Sequence, residues 1–106
     1  MNDSSQQDTE TLRQKLNRDT ARISWSLLDQ YQQQESVIEV SSDLDMIDVA
    51  CGFAEDNSAQ VAAWLEQSQI SKVSEEQARL WKEEDREIWA VVVAPWVLVQ
   101  EKKPQD

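Results

Sequence analysis

Residues 88–99 read Ile88-Trp89-Ala90-Val91-Val92-Val93-Ala94-Pro95-Trp96-Val97-Leu98-Val99, without one charged side chain, in a chain of 106 residues and net charge −11. Such a run is buried in the folded protein or it drives aggregation. Its valines are β-branched and favour strand, and Pro95 inside a helix would cost about 3 kcal/mol or more. The run therefore predicts one kinked strand, or two strands meeting at Ala94-Pro95. Pro95 has no N–H to give a ladder, so it marks a bulge, an edge or a turn. Both alternating faces are apolar, the pattern of a central strand covered on both sides. On this reading Val92→Asp buries an unpaired charge and unfolds the domain.

Upstream, Ser74-Glu75-Glu76-Gln77 is an S-x-x-Q capping box. It opens a helix to about Arg86 with Ala78 and Trp81 inward. Glu75/Arg79, Arg79/Glu83 and Glu83/Arg86 are opposite-charge pairs at helical spacing. Ile70–Val73 is a short strand or extended link. Asp56-Asn57-Ser58 separates two helices. One runs from Ala59 to about Glu66 and presents Val61, Ala62, Trp64 and Leu65. The other carries Leu44, Ile47, Ala50, Cys51 and Ala54 at helical spacing, widened by Met46, Val49 and Phe53. Ser41-Ser42-Asp43 caps it, with Asp45 completing an S-x-x-D box with Ser42. Ser36–Val40 reads as a strand with Glu39 facing out. Ser24 caps a helix from Trp25 to about Gln33, with Ile23 and Leu28 as a hydrophobic staple and Leu27, Leu28 and Tyr31 in the core. Residues 17–22 read as a connection or a loose second turn, and a first helix starts near Asp8 or Thr9 with Leu12 and Leu16 on one face.

This order predicts an α+β domain: a small antiparallel or mixed sheet with a central C-terminal strand, packed by four to five helices. It spans residues 8–101, between disordered tails at 1–7 and 102–106.

The missing residue types exclude much chemistry. With no histidine, Ser-His-Asp and Cys-His catalysis and histidine-ligated zinc are ruled out. One glycine, Gly52, cannot build a P-loop or a dinucleotide fingerprint. The single Cys51 forms no internal disulfide and suits a reducing cytoplasm. No signal peptide opens the chain, and the apolar run is too short for a membrane helix. Between Arg22 and Lys72 there is no basic residue but nine acidic ones, a segment that repels nucleic acid and anionic membranes.

Several segments together carry a resemblance. They are Thr20-Ala21-Arg22-Ile23-Ser24-Trp25, Leu44-Asp45 leading to Ala54-Glu55-Asp56, Val61-Ala62-Ala63-Trp64-Leu65, Glu76-Gln77-Ala78-Arg79-Leu80-Trp81, and Trp89 through Gln100. The set resembles an uncharacterised bacterial family, domain of unknown function 2288, over about residues 11–101. The resemblance implies a small stand-alone bacterial protein with no assigned activity, cofactor or catalytic residue, so no family site carries over.

Two constellations remain as candidates. Asp43, Asp45, Asp48, Glu55 and Asp56 form an acidic cluster that could gather Mg²⁺ or Mn²⁺ through hard oxygen ligands. The simpler reading is helix-start charge and a solvated face. Among the five tryptophans, Trp64, Trp81 and Trp89 fit the core, whereas Trp25 and Trp96 are candidates for a partner-binding surface. Trp96–Gln100, as an edge strand, could pair with its own copy to make a homodimer. The expected function is a small acidic, non-enzymatic protein-interaction domain whose partner has a basic surface, with no cofactor. A carboxylate-metal protein or hydrolase and a nucleic-acid mimic are the alternatives.

Overall fold

The apolar run forms a hairpin. In the computed structural model, which describes residues 11–101, Glu87–Val93 (β4) and Trp96–Gln100 (β5) pair antiparallel from Trp89↔Gln100 to Val93↔Trp96. Ala94 and Pro95, joined by a cis peptide, make the turn between them. Pro95 thus sits where no ladder hydrogen bond is needed. Three further strands complete one sheet: β1 (Ala21–Ser24), β2 (Val37–Val40) and β3 (Ile70–Lys72), in the order β1-β4-β5-β2-β3. The C-terminal strand is therefore the central one. Every pairing is antiparallel except β2 with β5, which run parallel from Val37↔Val97 to Glu39↔Val99.

Helices cover both faces. They are α1 (Leu12–Asp19), a 3₁₀ turn (Trp25–Leu28), α2 (Asp29–Gln33), α3 (Met46–Ala54), α4 (Ser58–Glu66) and α5 (Glu75–Glu83). Side chains alternate along each strand, so β5 feeds two cores. Leu98 joins Leu16, Ile38, Met46, Ile47, Ala50, Val91 and Val93 beneath α1 and α3. Val97 and Val99 join Trp25, Leu28, Ala78, Trp81 and Ile88 beneath the 3₁₀ turn and α5. The architecture is the expected α+β domain, with five α-helices and a five-stranded mixed sheet among the described residues. The expected tails, 1–7 and 102–106, and the expected helix start at Asp8 or Thr9 lie outside the described residues. The helix bearing Leu12 and Leu16 is capped by Thr11, whose side chain accepts from the Gln14 N–H while the Gln14 side chain accepts from the Thr11 N–H.

Several local expectations are corrected. Val92 is 61% exposed. β1 follows β4 only as far as Ala21↔Ala90, so Val92 projects past the rim of the second core, while Val91 and Val93 turn into the first. Of the expected connection, residues 17–19 end α1, and Ala21 and Arg22 join Ile23 and Ser24, expected as the start of a helix, in β1. Its side chains are exposed or half-buried, so an edge strand of this kind leaves little apolar signal. Trp25–Leu28 is a 3₁₀ turn that Ser24 does not cap with its side chain, and Leu27 is 67% exposed. The cap of α3 is Asp45, whose carboxylate accepts from the Ile47 N–H at 2.9 Å, and not the Ser41-Ser42-Asp43 stretch. Ala54, Ala62 and Leu65 face solvent.

Four helices end alike. After α2, α3, α4 and α5, the residues Glu35, Asp56, Ser68 and Asp85 adopt φ of 58, 58, 60 and 51°. In each case the next residue's N–H reaches back to the third-last helical carbonyl: Ser36 to Tyr31, Asn57 to Gly52, Gln69 to Trp64 and Arg86 to Trp81. These are Schellman closures made without glycine.

Candidate binding surface

The acidic cluster does not converge. Asp45 caps α3, and Arg13 of α1 holds both Asp45, at 2.6 Å, and Asp48, which lies one turn along. The hydrogen bond to Asp48 and the field of the two carboxylates push the Arg13 pKa further up, against a smaller opposing effect of desolvation. Glu55 and Asp56 lie past the other end of the nine-residue α3, about 13 Å along the axis. Asp43 is exposed in the loop before Leu44. No group of three or more His, Cys, Asp or Glu could hold a metal ion among the described residues. Asp45 and Asp48 are thus tied to a guanidinium and to a helix N-terminus, the ordinary roles of carboxylates there.

The two candidate tryptophans part company. Trp25 is wholly buried, its ring 4.9 Å from that of Trp81 in an edge-on contact. It anchors the second core and presents nothing to a partner. The Trp81 indole donates to Glu101 at 3.0 Å, whereas the Trp25 indole N–H has no acceptor among the described residues. Trp96 is only partly buried, 6.3 Å from Phe53 in a tilted contact. It belongs to the wall of a hollow of about 430 Å³ between the end of α3, the first two turns of α4 and the β4–β5 turn.

That hollow is lined chiefly by Phe53, Val61, Ala62, Leu65, Pro95 and Trp96, with Asp56 and Asn57 at its lip. Close packing of α3 on α4 sets its floor. A Cβ on Gly52 would stand 2.8 Å from Cζ3 of Trp64, so the glycine admits the six-membered ring of the indole against the helix. Leu65 is half exposed, a large apolar side chain with open solvent beside it. The surrounding chain carries no cation: residues 23–71 and 87–101 contain no Lys or Arg. Glu55, Asp56 and Glu66 have no ion-pair partner among the described residues. The α3 C-terminus and the α4 N-terminus meet at this corner, so their opposite end charges offset and side-chain charge sets the sign.

A larger hollow, about 650 Å³, lies between α2 and α5 and includes Asp29, Glu35, Lys72, Ser74, Arg79 and Lys82. Its cations are already paired, Lys72 with Glu35 and Lys82 with Asp29, both at 3.5 Å, and Arg79 with Glu83 at 3.0 Å, and Glu75 is the one lining carboxylate without an ion pair among the described residues. A wall whose cations are already engaged in exposed pairs offers an anionic ligand little, so size does not make it the better candidate.

Desolvation, joined by nearby carboxylates and opposed by Arg13, pushes the Cys51 thiol pKa up, and the reactive form is the thiolate. Pairing of β5 with a second copy is closed: β5 lies between β4 and β2, so both its edges are already paired. Among the described residues no helix is long and apolar enough to cross a membrane.

The hollow's walls come from chain segments almost thirty residues apart, and for that reason the sequence singled out Trp96 but not Phe53, Val61 or Leu65 as its companions. Comparison with solved structures finds the solution NMR structure of PA1075 from Pseudomonas aeruginosa, 42% identical, with a TM-score of 0.76 over 92% of this chain and 91% of that one. Comparison with curated proteins finds no match. The family described as protein of unknown function DUF2288 matches residues 11–101, which is the whole span from the cap of α1 to the end of β5 and one residue beyond. The chain belongs to that family.

Proposed function

We propose that this chain is a small acidic interaction domain, without catalytic machinery, that engages a protein bearing a basic surface. The observation that carries the reading is how charge is distributed. Every Lys and Arg among the described residues is already ion-paired: Arg13, Lys15, Arg18, Arg22, Lys72, Arg79, Lys82 and Arg86. Among the described residues the carboxylates without an ion-pair partner include Glu55 and Asp56, between α3 and α4, and Glu66 at the end of α4, in a stretch of chain that carries no Lys or Arg. A partner's lysines and arginines would meet unmatched charge there, without breaking internal pairs. Complementary potential of this kind speeds encounter and rejects acidic competitors. A reducing cytoplasm fits the single unpaired thiol.

The test is affinity capture from a bacterial lysate at about 50 mM and about 500 mM NaCl, conditions between which electrostatic reach shrinks several-fold. Captured proteins are then purified and titrated against the chain. The expected result is a basic-surfaced partner whose affinity falls at least tenfold at the higher salt. Recovery of no such partner, or of one indifferent to salt, defeats the proposal.

A further inference from the structure

The hollow beside Trp96 has a shape and a charge that specify more than a basic surface. We propose that it is a docking groove for an amphipathic, basic helical segment of a partner protein, which inserts one large apolar side chain between α4 and the β4–β5 turn. The proposal rests on the basic-partner reading and deepens it.

Three observations lead there. The lining is apolar and includes two aromatic rings, Phe53 and Trp96, beside the half-exposed Leu65. Such a pocket holds an anchor residue while near-neutral contacts around it exclude water. The volume, about 430 Å³, falls within the range of small-ligand pockets, about 300–1,000 Å³, and leaves room for one large side chain. The lip is acidic and unmatched, with Asp56 in the lining and Glu55 next to it, and no lysine or arginine in either stretch of chain that builds the walls.

The groove's construction selects a helix over a strand. Its walls are a helix end, a helix face and a hairpin turn, none of which presents a free strand edge for β-augmentation. An amphipathic helix instead lays apolar anchors into a groove and leaves its polar face outward. Lysines flanking the anchor would lie over Glu55 and Asp56, where each finds an unpaired carboxylate.

The experiment uses the full-length ¹⁵N-labelled chain and three synthetic peptides of equal length. The first is an amphipathic helix of leucine on one face and lysine on the other. In the second, glutamate replaces lysine. The third carries the same lysines with serine in place of leucine. The expected result is that only the first binds tightly. Its amide shifts concentrate at residues 52–65 and 94–96, and Leu65→Ser weakens it at least tenfold while leaving the melting temperature unchanged. Because Leu65 is half exposed, that variant folds. Val61→Lys, on the same wall, serves as a second probe of the groove.

Equal binding by the serine peptide, or shifts from the first peptide that fall outside the groove, overturns the docking proposal and leaves the basic-partner reading standing. Preference for the glutamate peptide, or no binding by any of the three, defeats both.

Discussion

Gln100 is buried to 1% exposure on the central strand, the sole buried polar side chain among the described residues. Its Nε2 donates to the carbonyls of Ser41 and Leu44, each at 2.8 Å. Two acceptors on one side require the amide nitrogen there, which fixes the orientation of the group. The pair of bonds holds the loop that delivers Asp45 to the start of α3. In the sequence Gln100 looks like the polar end of an apolar run, because the carbonyls it serves lie more than fifty residues away. Gln100→Leu keeps the volume and strands the Leu44 carbonyl, while the Ser41 carbonyl keeps the Leu44 N–H, so it is expected to cost about 1–3 kcal/mol and to lower the melting temperature by about 5 °C or more. Thermal melts of the two proteins decide it, and an unchanged midpoint would show that the loop is held by other means. Glu39 poses the converse case. It is half-buried on β2, and desolvation, with the nearby Glu101 adding repulsion, pushes its pKa up. Glu101 itself pairs with Arg86 and accepts from the Trp81 indole, and Glu39 has no ion-pair partner among the described residues. The folded state then binds the Glu39 proton more tightly than the unfolded chain does. Stability from this group is present at low pH and is lost as pH rises through the folded-state pKa. Glu39→Gln is expected to stabilise at pH 7 by about half a kcal/mol, a modest gain since the carboxylate keeps part of its hydration. The gain should vanish below about pH 4, where Glu39 is protonated in both states. Denaturant titrations at the two pH values test this, and a gain at pH 3 as large as at pH 7 would assign it to something other than the charge.

At the scale of elements, the hairpin shows what a run of residues can and cannot reveal. Strand propensity and Pro95 announced two strands and their junction, and the double apolar pattern announced cover on both faces. Which of three adjacent valines escapes burial is set by where β1 stops and by how far the second core extends, facts absent from the run itself. Val91→Asp is therefore expected to unfold the domain, since it places a charge in the first core. Val92→Asp is expected to remain folded, within about 0.5 kcal/mol of the parent. Circular dichroism and melting of both variants check the contrast, and the reverse order would mean that the strand is rotated about its axis. The helix ends were harder to read. A chain with a single glycine gives no C-terminal stop signal, yet four helices close through a left-handed residue. That conformation costs an ordinary residue about 1–2 kcal/mol, with some relief for Asp. The exposed Ser68 side chain makes no hydrogen bond among the described residues, so nothing is lost there by removing it. Ser68→Gly is expected to stabilise by about 0.5–1 kcal/mol, measured as a higher denaturation midpoint. A lower midpoint would show that glycine's extra freedom in the unfolded chain outweighs the relief of strain.

For the whole molecule, the balance of charge decides behaviour that no single pair can. Composition alone announced the acidic excess and the stretch without cations. What it could not show is that folding consumes every cation among the described residues in ion pairs and leaves the hollow's lip unmatched, because that depends on which loops α1, α2 and α5 approach. Exposed pairs of this kind contribute little each, about 0–1 kcal/mol, while a net charge of −11 repels itself throughout the fold. Salt screens both effects, but the repulsion sums over many more pairs than the attraction does. Raising NaCl from about 10 to about 150 mM shortens the Debye length from about 30 to about 8 Å. Over that range the melting temperature is expected to rise, while affinity for a basic partner falls. The opposite signs separate the two roles of the same charges. Within the fold the acids strain against one another, and across an interface they attract. A melting temperature that falls with salt would mean that the ion pairs outweigh the repulsion, and the surplus carboxylates would then carry less of the surface potential than the basic-partner proposal requires.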